Sequence, residues 1–144
     1  MAKLSLSRAN RIISQALAEG SRLNFRPLAA AVFDAGGNIK AYQAQDGIAP
    51  GRFEVACGKA RGCLFIGSGS RALDKQVSER PHFLASLTSV IPGGVVPVGG
   101  GVLIVNSRGE TLGAIGVTGD TSDNDEICAI FGVEKAGFTA VTGA

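Results

Sequence analysis

Apolar side chains recur at steps of three and four residues near the start of the chain. Between Ser5 and about Gly20 they are Ala9, Ile12, Ile13, Ala16 and Leu17. This period places them on one face of an α-helix, with Ser5 or Ser7 as the N-cap and Gly20 at the end. We therefore predict an amphipathic helix here.

Two pairs of short apolar segments, each joined by a polar turn, predict two β-hairpins. The first pair spans residues 28–34 and 39–44 around the turn DAGGN, and the second spans residues 102–106 and 111–118 around SRGE. Glycine and asparagine in such turns are typical of tight connections between antiparallel strands. The two hairpin sequences resemble each other weakly, and each leads through an acidic loop into a helix.

Three further segments have the period of helices. Residues 52–66 carry glycines at 58 and 62, each of which costs about 1 kcal/mol relative to alanine in a helix, so we expect these glycines to permit close packing. Residues 70–80 predict a short helix that Pro81 ends or kinks, and residues from 122 or 123 to about 137 predict the last helix. The order of elements predicts an α+β layered domain, with helices flanking an antiparallel sheet made of the two hairpins.

Composition limits the class of protein. The 144 residues fit one domain, predicted over residues 1–144, and 45% hydrophobic residues with a mean hydropathy of +0.24 predict a homo-oligomer. The net charge of +2 is too small, and the lysines and arginines are too scattered along the chain, to predict a nucleic-acid-binding face. The chain starts without an apolar signal segment and has no run near the ~20 apolar residues of a membrane span, so we expect a cytoplasmic protein without membrane contact.

The chain has an odd number of cysteines, and they lack CxxC spacing; they are Cys57, Cys63 and Cys128. A disulfide framework or a thiolate zinc site is therefore not predicted. The interpretation we favour is that they are small buried apolar side chains.

The stretch GVTGDTSDNDE concentrates four acids, Asp120, Asp123, Asp125 and Glu126. Carboxylates suit a hard cation, but the spacing does not match a calcium loop. Acids at the first turn of a helix stabilise its unpaired N–H groups, so capping by Ser122 or Asp123 is the favoured interpretation and no metal site is predicted. A ligand contact or a catalytic role for one of the acids stays open.

The glycine-rich segment of residues 93–101 has neither a phosphate-loop pattern nor a dinucleotide fingerprint. Its glycines, Gly93 and Gly94 among them, either allow a close backbone turn or admit a flat ligand.

The segment Glu79-Arg80-Pro81-His82-Phe83 holds the single histidine of the chain. His82 is the only side chain whose ordinary pKa lies near neutrality, and Arg80 has the geometry to hold a carboxylate. On the central helix, Glu54, Lys59 and Arg61 lie on different faces, and we expect Lys59 to be solvated although its neighbours are apolar.

The motifs QDGIAP, ACGKA, IPGGVVPV and GETLGAIGVTGDTSDNDEICA resemble the GlcG/HbpS family of haem-degrading-like proteins, which includes the C-terminal domain of PduO-type proteins. The resemblance covers residues from about 4 to 138. It implies an antiparallel sheet flanked by helices, profilin-like in outline, often in homo-oligomers, and some members bind haem or corrinoid. The chain departs from the family pattern by one extra residue between the glycine pair and Pro97, and by the ERPHF segment.

Two hypotheses follow. The first is a module that binds a haem-like or corrinoid-like ligand between the glycine-rich segment and the turn at residues 118–125, with contacts from Gly93, Gly94, Thr118, Asp123 and Lys59. The donors available to haem iron are His82, the three cysteines, Tyr42 and Met1. The second is a hydrolase or isomerase of a carboxylate-bearing metabolite, in which Arg80 anchors the substrate while His82 and Asp120, Asp123 or Glu54 move protons.

Overall fold

The computed structural model describes residues 3–144, which form five helices and five strands. In chain order the elements are α1 (Leu6–Arg22), β1 (Ala29–Asp34), β2 (Ile39–Ala44), α2 (Arg52–Ile66), α3 (Arg71–Glu79), α4 (Pro81–Val90), β3 (Gly101–Val105), β4 (Thr111–Thr118), α5 (Ser122–Lys135) and β5 (Thr139–Val141). None of these helices is long and apolar enough to cross a membrane.

All five strands form one antiparallel sheet in the order β2-β1-β4-β3-β5. The two predicted hairpins meet through β1 and β4, where Val32 lies opposite Ile115. The α+β fold class with an antiparallel sheet is thereby confirmed. The fifth strand was not predicted, because its three residues are too few to show alternation.

The two faces of the sheet carry different helices. Side chains of Val32, Ile115 and Ile104 pack with α1 and α5 in the larger core cluster. Their neighbours in sequence, Phe33 and Leu103 among them, point to the other face and pack against α2. Alternation along each strand therefore supplies both halves of the core.

Helix α2 lies unusually close to the sheet because both surfaces carry small residues. A Cβ at Gly101 would lie 2.6 Å from the Lys59 carbonyl oxygen, and one at Gly116 would collide with that of Ala56. On its other side, α2 receives the glycine-rich segment, where a Cβ at Gly58 would lie 2.7 Å from a methyl carbon of Val96. The prediction that the helix glycines permit close packing is confirmed.

Two local predictions need correction. Pro81 does more than end α3, since it occupies the first turn of α4, where its fixed φ favours a helix. Helix α4 packs through Leu87 against Leu73 of α3 in a small separate cluster.

The N-cap of α5 is Thr121, and not Ser122 or Asp123 as predicted. The Thr121 hydroxyl accepts a hydrogen bond from the Asn124 N–H. At α1 the predicted Ser5 cap is confirmed.

Candidate functional site

A buried ion pair joins α2 to the start of α5. The Lys59 Nζ lies 3.1 Å from Asp125 Oδ2 and donates a hydrogen bond of 2.8 Å to the Val117 carbonyl. Both side chains are almost fully buried, at 3% and 2% exposure. The expectation of a solvated Lys59 is therefore wrong, because α2 runs so close to the sheet that Nζ reaches the end of β4.

Glycine at the end of the glycine-rich segment makes room for this pair. Gly100 has φ +113°, and a Cβ there would lie 2.8 Å from Lys59 Nζ. Burial lowers the pKa of Lys59 and raises that of Asp125, while the attraction between the two charges opposes both shifts. The pair is closed to solvent and has a structural role.

A second set of charges ties α3 to α5. The Arg71 guanidinium donates to both carboxylate oxygens of Glu126, at 2.9 to 3.2 Å, and to Asp123 Oδ1 at 2.9 Å. These hydrogen bonds raise the pKa of Arg71 above its ordinary value. Within residues 3–144, no group of three His, Cys, Asp or Glu side chains is placed to hold a metal ion.

Asp120 holds the turn that precedes α5. Its carboxylate accepts hydrogen bonds from the backbone N–H groups of Arg26 and Thr121 and from the Asn124 side-chain amide. These bonds, led by that of Arg26, lower the pKa of Asp120 to about 2. A carboxylate with a pKa this far below neutrality is a weak base and is poorly matched to proton transfer near pH 7.

Thr118, predicted to face a ligand, is fully buried. Its hydroxyl accepts a hydrogen bond of 2.8 Å from Arg52 Nη1. A ligand would reach this hydroxyl only by displacing Arg52.

The residues of the ERPHF segment lie apart from this cluster of charges. His82 and Arg80 are exposed at the junction of α3 and α4, and the Arg80 guanidinium stacks 4.4 Å from the centroid of the Phe83 ring. Glu54 is exposed in the first turn of α2. In the part of the chain that the structure describes, no hydrogen bond or ion pair joins His82 or Arg80 to Asp120 or Glu54.

An open groove runs between one side of α2 and the turn joining β1 to β2. Its cavity measures about 340 Å³. This α2 groove is lined by Phe33, Gly37, Asn38, Ile39, Phe53, Cys57 and Arg61. Aromatic and aliphatic side chains with a few polar groups are the composition expected of a small-molecule site.

Among the described residues that line the α2 groove, Arg61 alone is charged. Its guanidinium lies 5.2 Å from the centroid of the Phe33 ring, and the side chain is half-buried. Among residues 3–144, no carboxylate lies within 4 Å of it and it donates no side-chain hydrogen bond. Gly93 and Gly94, with φ +80° and +74°, form the turn after α4, and Gly93 lies against this guanidinium.

Apart from Asn38, the other side chains of the lining are aromatic, aliphatic or a thiol. The rings of Phe53 and Tyr42 meet edge to face, with centroids 4.8 Å apart. Burial raises the pKa of the Cys57 thiol, with Arg61 lowering it and Glu54 raising it further. Cys57, like the other two cysteines, is buried, as predicted, and its raised pKa means that it is not an activated nucleophile.

The sequence reasoning missed the α2 groove although a signal was present. Phe53, Cys57 and Arg61 recur at steps of four on α2, which places them on one stripe of the helix. From the sequence, Cys57 was interpreted only as a buried apolar side chain, and Arg61 was given no role.

Comparisons with known proteins point to one family. The family model described as haem degrading protein HbpS-like matches residues 4–134. The crystal structure of HbpS is similar at a TM-score of 0.81 and 27% identity, covering 95% of this chain and 92% of that chain. A PduOC complex with haem has a TM-score of 0.83 at 21% identity, covering 95% and 97%. Klebsiella pneumoniae ORFY has a TM-score of 0.82 at 21% identity, covering 94% and 92%. No curated protein matches the chain by sequence.

Proposed function

We propose that this chain, which belongs to the HbpS-like family, binds a small planar anionic ligand of the haem or corrinoid type in the α2 groove. Support comes from the family itself and from the similar PduOC structure, which is a complex with haem. The groove supplies the chemistry that such a ligand needs.

The observation that carries this proposal is the Arg61 guanidinium, which has no carboxylate partner in residues 3–144 and shares the lining of the α2 groove with the Phe53 ring. Phe53 and Ile39, 39% and 48% exposed, offer apolar surface to a flat ring system, and Arg61 offers hydrogen-bond donors to a carboxylate at the edge of that ring. A half-buried cation with no carboxylate partner in the described residues favours binding of an anion there.

The lining residues fit haem in part. Among the described residues of the lining, Cys57 alone has a common iron-donor atom, and metal binding would deprotonate its thiol. His82 and Tyr42 are outside the lining, and Met1 lies outside the described residues. A bound haem would supply a redox-active iron, whereas the chain itself supplies the apolar wall and the cation.

The enzyme hypothesis gains no support from the geometry. His82 and Arg80 face solvent, and Asp120 is committed to its turn. Acid and base groups must lie within hydrogen-bond reach of one substrate, and no such grouping is found around His82 in residues 3–144.

Titration of the purified protein with haemin tests the proposal. We expect a saturable change of the Soret band, and Arg61→Gln should weaken binding about tenfold, the effect of losing one charge-assisted hydrogen bond. Arg11→Gln, which alters an exposed arginine on α1, is the matched control and should bind as the wild type does. Absence of saturation would exclude haem binding. A loss caused by His82→Ala but not by Arg61→Gln would place the ligand at α3 and α4 instead.

A homo-oligomer is the second part of the proposal. Val77, Phe83 and Val90 are exposed apolar side chains on α3 and α4, at 38 to 70% exposure. Covering them against another copy would remove apolar surface from water. Light scattering on a size-exclusion column should give a multiple of the 14.6 kDa chain mass, and a monomer mass would contradict this part.

A further inference from the structure

The turn after α4 lies directly against the cation of the α2 groove. A Cβ added at Gly93 would lie 2.9 Å from Arg61 Cζ and 3.4 Å from Nη2, and would collide with Nη1. The Phe33 ring contacts the same guanidinium. Two neighbours therefore restrict the position of a side chain that would otherwise sample many rotamers.

We propose that Gly93 is a positioning residue for Arg61, and that the two together form a carboxylate subsite which selects ligands with a flat apolar body and a carboxylate at one edge. This inference rests on the proposed function, since it assigns a recognition rule to the same groove.

The orientation of the arginine before a ligand arrives decides how well it binds a carboxylate. A guanidinium binds a carboxylate through two parallel hydrogen bonds only when its plane is correctly oriented. Arg61 donates no side-chain hydrogen bond within residues 3–144; the Phe33 ring covers one face of its guanidinium and Gly93 lies beside Nη1. The side of the guanidinium away from Gly93 stays available to the ligand, and less entropy is lost on binding.

Only glycine fulfils this role at position 93. Any larger side chain would occupy the space of Nη1 and push the guanidinium away from its place over Phe33. Alanine at position 93 is also destabilised by the left-handed φ of +80°. The experiment must separate this backbone strain from the contact with Arg61.

Gly109 provides the matched control. It has φ +78° in the turn between β3 and β4, and nothing lies within 4 Å of an added Cβ. Alanine at either position therefore incurs the same backbone strain, and only alanine at position 93 meets Arg61.

The first experiment needs no ligand. Melting temperatures are measured for Gly93→Ala and Gly109→Ala, each in the wild-type and in the Arg61→Ala background. We expect Gly93→Ala to lower the melting temperature more than Gly109→Ala, and the excess to vanish when Arg61 is absent. An excess that persists in the Arg61→Ala background would overturn the positioning role, whether or not haem binds.

The second experiment tests whether the groove selects ligands that carry a free carboxylate. Haemin should bind Gly93→Ala about tenfold more weakly than wild type, and Gly109→Ala with unchanged affinity. With haemin dimethyl ester, which lacks free carboxylates, wild type and Gly93→Ala should bind equally. A loss of equal size with the ester would overturn the carboxylate subsite. Failure of the wild type to bind haemin at all would refute the proposed function, and the melting-temperature cycle would still decide the role of Gly93.

Discussion

Arg71 and Arg61 are two half-buried arginines that meet opposite surroundings. Arg71 donates to two carboxylates, those of Glu126 and Asp123, and so fastens α3 to α5. Arg61 has an aromatic ring and a glycine beside it and, among residues 3–144, no carboxylate. The same side chain thus serves the fold in one region, whereas in the α2 groove it is left with its hydrogen-bonding capacity unused. The partners of a charged side chain therefore indicate whether it stabilises the fold or is available to a ligand, which a count of charged residues does not.

The largest loss of stability is expected when one partner of the buried Lys59–Asp125 pair is removed. Asp125→Ala leaves the Lys59 ammonium buried without its carboxylate, and we expect the free energy of unfolding to fall by about 3–5 kcal/mol. Urea denaturation measures this change. Asp123→Ala is the control on the same helix, because its side chain is 81% exposed and its ion pair should contribute about 1 kcal/mol or less. Equal losses for the two variants would contradict the structural role of the buried pair.

The two arginines themselves should differ in their effect on stability. Arg71→Gln removes charged hydrogen bonds from the mostly buried Glu126, so we expect a loss of about 1–2 kcal/mol. Arg61→Gln should change stability by less than about 0.5 kcal/mol, because no carboxylate in the described residues depends on it. Urea midpoints and slopes of both variants test the contrast. If Arg61→Gln were the more destabilising change, Arg61 would belong to the fold and not to the groove.

The smallest effect concerns pH. The pKa of Asp120 is about 2 in the folded protein, below its ordinary 3.8, so ionised Asp120 stabilises the fold above about pH 4. This contribution is lost as the pH falls from about 4 to about 2, and we expect a difference of about 1 kcal/mol after solvent screening. Comparing urea unfolding of wild type and Asp120→Asn at the two ends of this window isolates it. If the free energies of unfolding of the two proteins changed equally with pH, the charge of Asp120 would not stabilise the fold.

Most of the fold could be predicted because its signals are local. The bounds of α2, β2 and β4 match the predicted ranges, since apolar period and turn residues lie within each segment. Helix α4 was missed because Pro81 is read equally well as the end of one helix or the start of the next. Strand β5 exists through its pairing with β3, and pairing is a tertiary property.

The site was harder to predict for a physical reason. Sequence shows that Arg61 and Lys59 are cations, but it does not show which acids reach them. Asp125 lies 66 positions from Lys59 and meets it only because α2 and α5 converge at the end of β4. The contacts of Thr118 and Asp123 likewise depend on residues far away in sequence.

The close approach of α2 to the sheet also limits how the groove can respond to a ligand. With the carbonyl groups of Ala56 and Lys59 resting against Gly116 and Gly101, the backbone of α2 meets the sheet directly at these two positions. At these points the helix has no room to move closer to the sheet when a ligand enters the α2 groove. Adjustment of shape on binding is therefore expected from the turn between β1 and β2, which supplies Gly37 and Asn38 to the lining.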